Sequence, residues 1–332
     1  RNLNIDSLKF YLFIGVFLFH HAGLFCPIEW GNYLFVNHLL FFTRKLIEEK
    51  KDNINVKALA IKRWKRLSPF YLTVVILLTI YYWVLNQNVP GDFWSYFVYA
   101  QNFYWAIKGD VGTRVPASYH FGYLILDFYL FIVWTRVIEY TKNDRLLRIF
   151  WCMLVFSIVY RCVIPQITGN AILAYTMPWG MFDAFSVGGI LAIRTKEKKP
   201  LLKTGHISAI VAVLLFIICV VSMMRQTMSG GKGYNHVLYV KQYGESPITM
   251  QIFTVMTLLS CSLIRYCLSI KKNCIFTNNK IANLGGLSYE LHVLHFPILF
   301  FVAQVVENKW IVGIAAFLIT IGLSKLWKLI YK

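Results

Sequence analysis

Leu67–Leu85 reads LSPFYLTVVILLTIYYWVL, 19 residues without a single charge, directly after the basic run Lys62-Arg63-Trp64-Lys65-Arg66. A helix crossing a hydrocarbon core of ~30 Å needs about 20 mainly apolar residues. A soluble helix of that length would keep one polar face; this stretch keeps none. Ile207–Met224 (ISAIVAVLLFIICVVSMM) repeats the pattern further along the chain. Across all 332 residues 58% are hydrophobic and 15% charged, against roughly 45–50% and 25% in soluble domains. The chain therefore reads as an all-α, polytopic transmembrane helical bundle.

Working outward from that helix gives about ten spans. Before it lie Leu8–Phe25 and the shorter Gly31–Phe42, then the charged stretch Arg44–Arg66. After it come the polar-aromatic segment Asn86–Tyr119 and helices at His120–Glu139, Leu147–Val163, Leu173–Ile193 and Ile207–Met224. A Gly-rich loop, Ser229–Glu245, precedes Ile248–Ile270, Leu284–Val306 and Trp310–Ile330. No internal repeat is visible, and residues 1–332 read as one integral-membrane domain. The first apolar stretch carries two histidines and no small-residue cleavage site, so it reads as a retained helix and not a signal peptide.

The net charge of +19 is spread between apolar blocks, with no nucleic-acid-binding signature, which argues against a nucleic-acid partner. With both termini cytoplasmic, every short loop on that side is basic. Only Lys108, Arg114, Arg161, Arg225, Lys232, Lys241 and Lys309 of the 34 basic residues then fall elsewhere. That is the bias expected of cytoplasmic loops, with anionic membrane lipids or an anionic cytoplasmic substrate as partners. The seven cysteines form no C-x-x-C pair and read as packed thiols.

Polar groups inside a membrane segment are functional candidates by default. Lys9 and His20 are eleven residues apart on the first helix, hence on one face and roughly 16 Å apart along the axis. An imidazole at that depth can serve as a general base or can hydrogen-bond a neighbouring helix as packing. Arg63 and Arg66, three residues apart, project from adjacent positions of one helical face. They suit bidentate phosphate binding, or a positive-inside anchor with Trp64 at the interface.

Together these features resemble acyltransferase family 3. A Lys or Arg, ten intervening residues and then a histidine on the first helix, followed by R-x-x-R before the third, is similar to that family's pattern. So are Leu8–His20 (LKFYLFIGVFLFH), Lys62–Leu72 (KRWKRLSPFYL), Asp183–Ala192 (DAFSVGGILA) and Leu284–Leu299 (LGGLSYELHVLHFPIL). The resemblance implies an enzyme that moves an acyl group, usually acetyl, from cytoplasmic acyl-CoA to a hydroxyl. The acceptor would be a cell-envelope carbohydrate or its lipid-linked precursor, and the enzyme a multi-pass protein of the bacterial inner membrane. It implies His20 as the base and Lys9, Arg63 and Arg66 as the acyl-CoA-binding set. No bound cofactor or metal is expected: an alcohol attacking a thioester needs positioning, a base and oxyanion stabilisation.

Two stretches depart from the family pattern. Leu34–Arg44 (LFVNHLLFFTR) has His38-Leu39 where Ser-Gly is expected. His120-Phe121-Gly122-Tyr123 precedes Phe128-Tyr129-Leu130, with Asp127 the nearest acid. Asp127, Asp183, Glu290 and His295 could line a central cavity or pair with basic residues. His292 and His295, three apart, make a weak metal case without a third ligand. The rival class is a transporter or lipid-linked glycan flippase, against which stands the absence of repeated halves and paired broken helices.

Overall fold

The computed structural model describes residues 2–22, 30–49, 55–86, 89–110, 118, 120–196, 214, 217, 249–269 and 275–331. The expected helix Ile207–Met224 lies outside them apart from Leu214 and Ile217, as does the loop Ser229–Glu245. Every regular element among the described residues is helical. The chain begins with α1 (Leu3–Ala22), α2 (Trp30–Glu49) and α3 (Val56–Asn86). Short helices α4 (Trp94–Phe97) and α5 (Gln101–Lys108) precede α6 (Phe121–Tyr140), α7 (Asn143–Thr168) and α8 (Ala171–Thr176). Then come α9 (Phe182–Lys196), α10 (Ile252–Ser269), α11 (Asn279–Gly285), α12 (Ser288–Val305) and α13 (Lys309–Ile330).

Five of these, α3 from Val56 to Leu85, α6, α7, α12 and α13, are long and apolar enough to cross a membrane. The shorter α10 is apolar as well. Polar residues set the remaining long helices apart: Asp6, Lys9, His20 and His21 on α1, and Arg44, Lys45 and Glu48 on α2. Exposed apolar side chains such as Leu77, Val155, Ile314 and Leu318 cover the outside of the bundle. Large buried ones, including Phe13, Tyr71, Trp134 and Phe150, fill the inside. That distribution suits a hydrocarbon solvent.

Helix ends follow local chemistry. Asn278 and Asn308 cap α11 and α13 by accepting from the first free backbone N–H groups, as N-cap residues do. The span expected over Leu173–Ile193 is broken: α8 stops at Thr176, Met177 is extended, and a 3-10 turn over Pro178–Met181 leads into α9. The cause is Pro178, which disfavours helical geometry in the residue before it. The span expected from Leu284 is likewise two elements, α11 and α12, separated at Gly286 and Leu287. Much of Asn86–Tyr119 packs inward: Tyr96 is fully buried and Trp105 nearly so.

The packing that places the site is centred on α1. This helix lies against α11, α12 and α10, while α12 also packs on α13, and α2 on α9. At Gly285 a Cβ would stand 1.7 Å from the Asp6 carbonyl oxygen, so only glycine lets α11 approach α1 this closely. Asn4 donates to the Cys267 carbonyl and Ser7 to that of Asn278, which fixes the start of α1 against the ends of its neighbours.

Candidate active site

Helix α12 orders the polar groups along the bundle. At its start the Tyr289 hydroxyl donates to the Leu67 carbonyl of α3 at 2.7 Å. Half-buried Glu290 lies where the charges of Lys328 and Arg66 act on it. Arg63 is ion-paired with Asp127 of α6 and lies over the Phe131 ring, 4.3 Å from its centroid. Its side chain is only 9% exposed, whereas Arg66 is exposed. Of the two arginines, Arg66 is therefore the one presented to an incoming anion. Beside it a cleft of about 960 Å³ between α11 and the end of α13 is lined by Lys280, Lys325 and Lys328. Lys9, at the same end of the bundle, forms a 3.0 Å ion pair with Asp6 one helical turn away.

Five residues beyond Glu290, or about 7–8 Å along the axis, comes a cluster of four histidines. His295 is fully buried, with its ring centroid 5.2 Å from His20 of α1, 5.0 Å from His120 and 5.3 Å from His292. His120, at the head of α6, is 5.6 Å from His292. Phe13 and Phe296 border the cluster, at 5.9 Å from His295 and 4.9 Å from His20.

Proline chemistry explains part of this arrangement. Pro297 has no N–H, so the Val293 carbonyl four residues earlier loses its helical partner. His120 Nε2 lies 3.2 Å from that oxygen. A carbonyl only accepts, so Nε2 of His120 is the donor. His295 Nδ1 lies 2.7 Å from the His292 carbonyl oxygen and is likewise a donor.

Beyond the histidines, His20 and His21 line a cavity of about 420 Å³ walled by Phe296, Leu299, Phe300 and Val312. Glu307, just after α12, and Lys309, the first residue of α13, complete its lining. The cavity thus lies toward the end of the bundle opposite Arg66 and the lysine cleft. His21 packs on α13 at Gly313, where an added Cβ would meet its Nε2 at 2.4 Å.

Asp183 belongs to a separate assembly. It is buried and paired with fully buried Arg161 at 2.6 Å, with Ser157, the Gly180 carbonyl and Thr254 completing the network. The pair joins α7, α9 and α10 and does not touch the histidine cluster. Among the described residues no three His, Cys, Asp or Glu side chains converge as metal ligands. Sequence reading passed over His120 and Arg161. The signal for His120 was Pro297, which frees a carbonyl that needs a donor.

The family model described as an acyltransferase domain, that of acyltransferase family 3, matches residues 2–326. The chain belongs to this family. No curated protein and no solved structure matches it. Membership of acyltransferase family 3, with long apolar helices, makes the protein a membrane acyltransferase.

Proposed function

We propose that this acyltransferase moves an acyl group, most simply acetyl, from acyl-CoA to a hydroxyl of a cell-envelope carbohydrate or its lipid-linked precursor. We place it in the bacterial cytoplasmic membrane with the lysine and arginine end inside. The observation that carries the reading is the position of His20, in the lining of a cavity that lies toward the end of the bundle opposite the basic cleft. Donor and acceptor then approach one imidazole from opposite sides of the membrane.

Each part has a physical counterpart. Exposed Arg66 and the cleft of Lys280, Lys325 and Lys328 offer a guanidinium fork and ammonium groups to the phosphates of a coenzyme A thioester. The acceptor hydroxyl gives its proton to His20 as its oxygen bonds to the thioester carbonyl carbon. The carbon–sulfur bond of the tetrahedral intermediate breaks, the ester is released, and the coenzyme A thiolate takes up the proton. Phe296 and Phe300 give the cavity aromatic faces on which a sugar ring or the apolar carrier of a lipid-linked sugar can pack.

The test compares envelope glycans from cells with and without the gene, by mass and by base-labile acetyl content. In parallel, purified protein in lipid nanodiscs is assayed for coenzyme A thiol release from acetyl-CoA. Loss of acetyl groups in the deletion strain, with acetyl-CoA consumption by the protein, is expected. Unaltered glycans and no consumption refute the reading.

A further inference from the structure

The histidines clustered with His20 differ in what their hydrogen bonds leave available. His295 Nδ1 faces the His292 carbonyl oxygen at 2.7 Å, and a carbonyl accepts only, so the proton of neutral His295 is on Nδ1. Its Nε2 is then a bare lone pair. That atom is buried without a hydrogen-bond partner, in a ring that is 0% exposed and has the His20 ring 5.2 Å away. Facing imidazoles at that centroid separation can bring two nitrogens to about 3 Å, within hydrogen-bond range. A buried acceptor left open is costly, and the cost falls when a donor reaches it. Catalytic hydrogen bonds are commonly long at rest and tighten in the reacting complex.

We infer that His295 is the positioning residue for His20, its Nε2 accepting the N–H of His20 so that the other His20 nitrogen faces the cavity as the base. The assignment rests on the reading of His20 as the base. It gives His20 what an orienting carboxylate gives the histidine of a hydrolytic triad: one tautomer, one ring orientation, and support for the imidazolium that forms. The acceptor here is neutral, which suits a site at membrane depth, where a carboxylate is expensive. Phe13 and Phe296 confine the two rings at 5.9 and 4.9 Å. The other titratable groups around His20 and His295 are His120 at the head of α6, His292 on α12, His21 on the helix of His20, and Glu307 and Lys309 in the cavity lining.

Two amides separate positioning from packing. Asparagine at 295 can reproduce the Nδ1 contact with the His292 carbonyl but has no atom where Nε2 stood. Glutamine can place an acceptor oxygen near that point. The assay uses the full-length protein in nanodiscs, with acetyl-CoA as donor and envelope polysaccharide from a deletion strain as acceptor. H295N is expected to lower kcat by about 10- to 100-fold with KM for acetyl-CoA unchanged. Its acid limb should move to lower pH, because an acceptor that stabilised the His20 imidazolium has been lost. H295Q is expected to stay within a few fold of wild type, with the limb in place. Equal activities of H295N and H295Q, whether both full or both lost, overturn the assignment. H20A reads the underlying premise separately: an active H20A sinks the base reading itself, whereas inactive H20A with equal amides sinks only the role of His295.

Discussion

Replacing Asp183 by Asn tests whether the buried acid of α9 supports the fold or takes part in transfer. Arg161 and Asp183 are 0% and 1% exposed, so solvent does not screen what remains after one of them is removed. Asp183→Asn leaves the Arg161 guanidinium with the Gly180 carbonyl and two hydroxyls but no counter-charge. Stranding one member of a buried pair costs about 3–5 kcal/mol. Arg161→Met, which strands the carboxylate, should cost a similar amount. The double variant Arg161→Met/Asp183→Leu should recover most of it, because the other members keep partners. Ser157 still donates to the Gly180 carbonyl at 2.9 Å, and Thr254 still reaches Gln251 at 3.3 Å. The backbone N–H of Ala184, which donates to Asp183 at 2.8 Å, is the residual loss, about 1 kcal/mol. The cycle should therefore show coupling of about 3 kcal/mol or more. The readouts are reversible unfolding of purified protein in detergent, and acetylation of envelope glycans normalised to protein level. A fully stable Asp183→Asn variant without acyl transfer would refute the structural role and place Asp183 in the reaction.

Three further outcomes are expected. His20→Ala should abolish glycan acetylation while the protein still accumulates. His21→Ala should retain transfer and cost only its packing on Gly313, about 0.6–2 kcal/mol; an active His20→Ala or an inactive, well-folded His21→Ala contradicts this. Arg66→Ala should raise KM for acetyl-CoA by about tenfold or more, and glutamine at Lys280, Lys325 and Lys328 should raise it further and flatten its salt dependence. An unchanged KM would leave these residues as interfacial anchors. Gly285→Ala should destabilise by about 1–3 kcal/mol through forced separation of α11 from α1, and an unchanged unfolding curve would show that the two helices do not meet as described.

Among the described residues, the fold was legible where apolar residues ran unbroken. Leu67–Leu85 announced α3 because no charged residue interrupts it, and hydroxyls in it are bonded within the protein, as Thr73 and Thr79 are to carbonyls one turn back. Legibility failed where one residue redirects the backbone. Pro178 splits the span expected over Leu173–Ile193, and an apolar count does not register a single missing N–H. Pairings across the bundle were invisible for another reason. Arg63 and Asp127 are 64 residues apart, and Arg161 and Asp183 are 22 apart across that break, so no periodicity joins them. In sequence the two arginines of R-x-x-R looked equivalent, as phosphate ligands or as interfacial anchors. Packing makes them unequal, since Phe131 and Asp127 enclose Arg63 and leave Arg66 exposed. His120 looked like a helix boundary, and its meaning depends on a proline 177 residues later.

That proline also bears on how polar rings persist at membrane depth. Without water, each imidazole needs a protein partner, and an intact helix offers almost none, because its carbonyls are already engaged. Helix α12 meets the requirement for His120 and His295 with its own backbone. Pro297 releases the Val293 carbonyl to His120, and the His292 carbonyl serves His295 one turn on. Both bonds fix which ring nitrogen carries the proton, Nε2 in His120 and Nδ1 in His295. A backbone defect thereby sets tautomers, and tautomers decide which nitrogens can receive a proton. A leucine in place of Pro297 would restore the helical bond to Val293 and leave His120 without that acceptor. The Leu-His-Phe-Pro stretch is therefore better understood as one electrostatic unit than as a histidine with apolar neighbours. Its position about 7–8 Å beyond Glu290 along the helix puts that unit between the basic end and the cavity lined by His20.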